Sequence, residues 1–128
     1  MDRKILVEKD IKEGKRLIET LDEARFGVTA ALWFYLTDSE EWRLLIASPY
    51  KEKNGPKKAY SFIQGELEKL TPSIDISLKD ISVLSPNHNL IKLLKVAIHT
   101  KPGMSDIRFT RNVINNILIE DAYIYRMQ

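Results

Sequence analysis

The sequence contains no cysteine, and this absence excludes several kinds of chemistry at once. A chain without thiols forms no disulfide framework, no thiolate zinc site and no cysteine nucleophile. The same absence fits a reducing compartment, so we expect a cytoplasmic protein.

Long apolar runs are also missing. The longest one, residues 30–36, falls far short of the roughly 20 residues that cross a bilayer, so we expect no membrane span. Near the N-terminus only residues 5–7 are consecutively apolar, which is too few for the core of a secretion signal. We therefore expect no such signal.

Motifs for nucleotide binding and for common catalytic centres are absent. The five glycines are isolated from one another, which excludes a phosphate-binding loop and a dinucleotide fingerprint, and no G-x-S-x-G pattern occurs. His88 and His99 are separated by about 16 Å along a predicted helix, too far to share a metal ion. We expect neither a cofactor nor a metal site.

What the sequence does contain is enough apolar material for one core. Hydrophobic residues make up 44% of the 128 residues and charged residues 30%, with no linker-like segment between them, so we expect a single domain over residues 1–128. Twenty basic residues stand against 18 acidic ones, and this near balance gives no strong bulk attraction to nucleic acid.

The pattern of apolar residues predicts an α+β fold with three helices and a mostly antiparallel sheet of about five strands. Asp10 followed by Glu13 resembles a capping box and predicts the first helix start, and Gly27 follows its predicted end. The predicted order is αββαβαββ: helix 11–25, strands 28–36 and 42–47, helix 56–70, an extended segment 74–84, helix 86–99 and a hairpin within 107–126.

Residues 28–36 are apolar on both strand faces, so both faces of this strand must be covered. The cover is either the chain's own helices or another molecule. Our leading hypothesis is a small non-catalytic interaction module that binds a second copy or a protein partner through the sheet face around Trp33, Tyr35 and Trp42.

A first alternative is nucleic-acid binding through a predicted loop at residues 49–55 and the start of the following helix. Lys51, Lys53, Lys57 and Lys58 flank Asn54-Gly55-Pro56, with Tyr50 and Tyr60 nearby, a composition compatible with phosphate contacts and base stacking. The competing interpretation is a solvated loop that leads into a helix.

A second alternative is an enzyme whose site forms where the end of the third helix meets the last hairpin. The candidate residues are His99, Arg108, Arg111, Glu120 and Asp121. The competing interpretation is an ordinary cross-strand ion pair between one of the carboxylates and Arg108 or Arg111.

Overall fold

The computed structural model describes residues 4–128. The expectation of no secretion signal concerns the N-terminal segment, whose residues 1–3 lie outside that range. The described residues form four helices and five strands. The helices are α1 (Glu8–Glu23), α2 (Tyr50–Asn54), α3 (Pro56–Lys69) and α4 (Asn89–Ala97), and the strands are β1 (Ala30–Leu36), β2 (Glu41–Ala47), β3 (Ile81–Leu84), β4 (Ile107–Ile114) and β5 (Ile117–Met127).

The strands form one mixed sheet in the order β3-β2-β1-β5-β4. Only β2 and β3 pair in parallel, whereas the other neighbouring strands are antiparallel. The predicted α+β class and the mostly antiparallel sheet are confirmed. The sheet ends in two edge strands, β3 and β4.

The start of α1 differs from the prediction. Val7 occupies the cap position, and its backbone N–H donates to Oδ2 of Asp10 over 3.1 Å, so Asp10 lies inside the first turn. Glu13 has a tertiary role instead, because its Oε1 accepts the backbone N–H of Asp75 over 3.0 Å. The helix ends before Arg25, whose φ of 62° turns the chain out of the helical path.

Both faces of the sheet are covered by helices of the same chain. Leu17, Ile18 and Leu21 of α1, with Ala59 and Ile63 of α3, pack on the face that carries Trp33 and Leu44. Ile91 and Leu94 of α4 pack on the opposite face, against Leu32 and Ile124. The continuous apolar run of β1 therefore reflects burial inside this chain.

The last strand departs from strict alternation at two places. Tyr125 bulges out of register with β1, since Ala31 pairs with Arg126 and Leu32 with Ile124. Further back, Ile119 joins Ala122 in the cluster under α4, although the two are three residues apart. Strict alternation would place Ile119 on the same face as Tyr123 and Tyr125, whereas in the structure it packs on the opposite face.

The change of faces occurs where the residue pairing between β4 and β5 is interrupted, at Arg111 and Glu120. The flanking pairs are Thr110 with Asp121 and Asn112 with Ile119, and Arg111 between them has a φ of 49°. A left-handed residue interrupts the regular pleat, so the side chains beyond it change faces.

The other two departures concern loops and helix starts. The predicted loop at residues 49–55 contains the short helix α2, a fourth helix that the sequence did not predict. The start of α4 lies at Asn89 instead of directly after Ser85-Pro86, because the backbone N–H of Leu90 donates to Nδ1 of His88, which serves as the cap.

Candidate interaction surface

The aromatic residues expected at an interface lie mostly inside the fold. Trp33 is 0% exposed and Trp42 6% exposed, both in the cluster beneath α1 and α3, while Tyr35 is half-buried beside the Trp42 ring. The prediction placed these residues on an accessible sheet face. Burial in the core leaves neither indole accessible to a partner in the folded protein, whereas Tyr35 keeps part of its surface exposed.

Trp33 is held by a specific contact in this core. Its Nε1–H donates to the Tyr125 hydroxyl over 3.0 Å, and that hydroxyl donates to the backbone carbonyl of Ile11 over 2.6 Å. Burial raises the pKa of Tyr125 above its ordinary value. The bulge in β5 thus turns Tyr125 towards α1 and joins helix to sheet.

The lysine-rich segment remains on the surface, but its aromatic neighbours do not. Tyr50 packs between Phe26 and Phe62 at ring-centroid distances of 5.0 and 5.1 Å. The Tyr60 hydroxyl accepts the backbone N–H of Val83 over 3.0 Å. Lys53, Lys57 and Lys58 are exposed and Lys51 is partly so, without an adjacent free aromatic ring on which a base would stack.

The C-terminal charged residues are brought together only in part. Arg108 donates through Nε and Nη2 to both oxygens of Asp121 over 2.7 Å, and Thr110 adds a third bond at 3.0 Å. The Arg108 guanidinium also lies 5.4 Å from the ring centroid of Trp42. These hydrogen bonds from Arg108 lower the pKa of Asp121. The cross-strand ion pair of the competing interpretation is therefore present.

Glu120 lies beside this pair, in a cleft of about 360 Å³ that Arg108 and Asp121 also line. His99 lies elsewhere: the next residue, Thr100, bonds to the backbone of Met127, six residues along β5 from Asp121 and so about 20 Å away. Arg111 does not line the cleft. The structure thus gathers three of the five candidate residues and separates His99 from them.

The exposed apolar residues concentrate at a different place. Six large apolar side chains are exposed within residues 4–128, and four of them lie on α4 or at the tip of the β4–β5 hairpin. Val96 is 62% exposed, Val113 65%, Ile117 52% and Leu118 55%. Sets of exposed apolar side chains on a soluble domain mark binding surfaces more often than scattered single ones do.

A groove of about 600 Å³ lies between α4 and the hairpin tip. Leu90, Leu93, Val96 and Ile117 line it with apolar groups, while His88, Asn89, Lys92 and Asn115 contribute polar ones. We call these eight residues the α4–hairpin groove. It combines a concave shape with an apolar lining, as binding sites commonly do.

The sequence of α4 indicates that this helix has a second apolar side. Six of the nine residues of α4 are apolar, more than one buried stripe requires. Ile91 and Leu94 fill the stripe against the sheet, whereas Leu90, Leu93 and Val96 repeat every third residue on the neighbouring side. A surface helix that is apolar on two sides packs one of them against its own sheet and leaves the other accessible to a partner.

Comparison with protein-family models, with curated proteins and with solved structures found no match. Within residues 4–128, no three acidic or histidine side chains are grouped so as to hold a metal ion. None of the helices described over that range has both the length and the apolar character needed to cross a membrane. The comparisons therefore assign no function to the groove.

Proposed function

We propose that this chain is a cytoplasmic, non-catalytic interaction module that binds another protein through the α4–hairpin groove. The observation that carries the proposal is the apolar lining of this groove, in which Val96 and Ile117 are more than half exposed. Burial of these side chains by a partner would remove apolar surface from water, which is the main driving force of protein association.

A partner protein fits the groove better than a second copy does. Lys92 lines the groove and Lys95 lies one turn further along α4, while α4 itself contains no acidic residue. A symmetric dimer through α4 would bring these lysines close to their own counterparts. Like charges facing each other across an interface oppose association, so we expect a monomer in isolation.

Pairing through the sheet edge is disfavoured as well. Strand β4 has a free edge, but Arg111 interrupts its regular backbone with a φ of 49° and adds a positive charge. Irregular backbone and charged side chains are features that protect edge strands against the addition of another strand. The partner is therefore expected to contact side chains of the groove.

The experiment is site-specific photocross-linking in the native cell, with the photoreactive residue placed at Val96 or at Ile117. Both positions should give an adduct with the same second protein. A photoreactive residue at the exposed Lys69 of α3 serves as the control and should give none. The identified protein is then purified and mixed with this chain, and Ile117→Asp should abolish the complex without lowering the thermal stability of the chain.

Two results would contradict the proposal. Adducts with the mass of two copies of this chain would show self-association through the groove. Adducts that form equally from Lys69, or a purified complex that Ile117→Asp leaves intact, would place the contact outside the groove.

A further inference from the structure

The segment that contains α4 and β4 carries charge of mostly one sign, and Lys92 of this segment lines the α4–hairpin groove, which has no acidic residue among its eight. Residues 81–119 contain five lysines and arginines but a single acid, Asp106, whereas residues 4–80 carry nearly equal numbers of both signs. The five are Lys92, Lys95, Lys101, Arg108 and Arg111, of which Arg108 is neutralised by Asp121.

The single acid of this stretch does not face the groove. Asp106 accepts a hydrogen bond from the Tyr123 hydroxyl, and Tyr123 packs against the core cluster on the other face of the sheet. Lys92 therefore lines the groove, and Lys95 lies on the adjoining flank of α4, without a carboxylate of β4 or α4 to neutralise them. Neither lysine has an ion-pair partner within residues 4–128.

The shape of the groove indicates the kind of segment that fits. One wall is a helix of nine residues, about 13 Å long, with Leu90, Leu93 and Val96 spaced one turn apart along it. A second helix laid along α4 places its own residues i, i+3 and i+7 against such a row. An extended strand would need a regular edge instead, and Arg111 interrupts the edge of β4.

From this combination we infer that the partner segment is an acidic amphipathic helix. Its apolar side would fill the groove against Leu93, Val96 and Ile117, and its carboxylates would pair with Lys92, with Lys95 one turn further along α4 adding to the positive charge. This inference rests on the proposed function and adds the chemistry of the partner to it. A nucleic acid would place phosphates near the lysines but would offer no apolar group to pack against Leu93, Val96 and Ile117.

The test uses two synthetic helical peptides with identical leucine positions. One carries glutamate and the other lysine at every remaining position. Isothermal titration calorimetry measures their binding to the full chain in low and in moderate salt. The glutamate peptide should bind, with an affinity that falls about tenfold between roughly 50 and 300 mM NaCl, and the lysine peptide should not.

Charge reversal makes the test specific to the groove. The double variant Lys92→Glu with Lys95→Glu should weaken the glutamate peptide at least about tenfold and admit the lysine peptide. Lys57→Glu with Lys58→Glu is the matched control on α3, outside the groove, and should leave both affinities unchanged. Circular dichroism and thermal unfolding confirm that each variant is folded.

The outcomes separate the inference from the proposed function. If both peptides bind equally and only Val96→Asp or Ile117→Asp weakens them, the groove binds apolar segments and the acidic partner is wrong. The inference also fails if the glutamate peptide does not bind in low salt, and the cross-linking result then decides the proposed function alone. Tighter binding to anionic lipid vesicles or to duplex DNA than to the glutamate peptide would assign the lysines to those ligands instead.

Discussion

Gly14 of α1 packs directly against the hydroxyl of Tyr125. A Cβ at this position would stand 2.3 Å from that oxygen and 2.9 Å from Nε1 of Trp33. Both atoms are fixed by hydrogen bonds in the core, so neither can withdraw freely. The missing side chain of Gly14 is what allows α1 to approach the sheet closely enough for this network to form.

Substitution of Gly14 by alanine should therefore destabilise the protein by about 1–3 kcal/mol, because the new methyl group displaces Tyr125 or lifts α1. The matched control is Gly65→Ala in α3, where a Cβ would meet nothing within 4 Å. That change should stabilise by about 0.5–1 kcal/mol through helix propensity. Urea unfolding measures both, and equal effects of the two substitutions would contradict the packing argument.

The Asp22–Arg126 pair provides a second prediction. Arg126 is 4% exposed and donates to both carboxylate oxygens of Asp22 over 2.9 and 2.8 Å, and to the carbonyl of Val28. Asp22→Asn should cost about 2–4 kcal/mol, since it leaves a buried guanidinium without its counter-charge. The control, Lys69→Ala, breaks an exposed pair with Glu66 and should change the free energy of unfolding by less than about 0.5 kcal/mol.

The tyrosines of β5 predict how the protein responds to alkaline pH. Burial, together with the hydrogen bond to Asp106, raises the pKa of Tyr123 to about 12, and burial raises that of Tyr125 as well. The folded state thus keeps protons that the unfolded state loses near pH 10, so stability is unaffected below about pH 10 and falls as the pH rises above it.

Tyrosinate absorbance as a function of pH tests this expectation. The titration should contain a late step near pH 12 that disappears in Tyr123→Phe. Thermal unfolding of Tyr125→Phe should lose less stability between pH 10 and 12 than the parent chain does. Release of all five tyrosine protons in one early step would contradict the burial described for β5.

Ile117 and Ile119 test where burial under α4 ends along β5. Both lie on the α4 side of the hairpin, where Ile117 pairs with Ile114 and Ile119 with Asn112, yet Ile117 at the tip is 52% exposed and Ile119 2% exposed. Ile119→Ala should cost about 2–4 kcal/mol and Ile117→Ala no more than about 0.5 kcal/mol. Similar costs for both substitutions would contradict this difference in burial.

The substitution Trp33→Asp tests whether Trp33 belongs to the core or to an exposed interface. As part of an exposed interface, Trp33 would tolerate this substitution and only the assembly state would respond. In the structure its indole is fully buried beneath α1, so a carboxylate there should unfold the chain. Far-ultraviolet circular dichroism of the variant distinguishes the two cases.

Local pattern was sufficient to predict the fold class, the first hairpin and the approximate places of three helices, because apolar periodicity and turn residues act over a few neighbours. It was not sufficient for α2 or for the start of α4. Those depend on distant partners, such as Phe26 packing on Tyr50, and on a histidine acting as a cap.

The sequence by itself determined that the chain builds an α+β core without cysteine chemistry, and that both faces of β1 must be covered. The tertiary structure alone decided what covers them, because only the packing of α1, α3 and α4 shows which apolar residues are left outside. It also decided that Arg108 pairs with Asp121. One left-handed residue, Arg111, changes the faces along the hairpin, so Ile119 packs under α4 while Tyr123 packs on the other side of the sheet. Burial is a property of the assembled elements, and alternation along a strand predicts it only while the pleat stays regular.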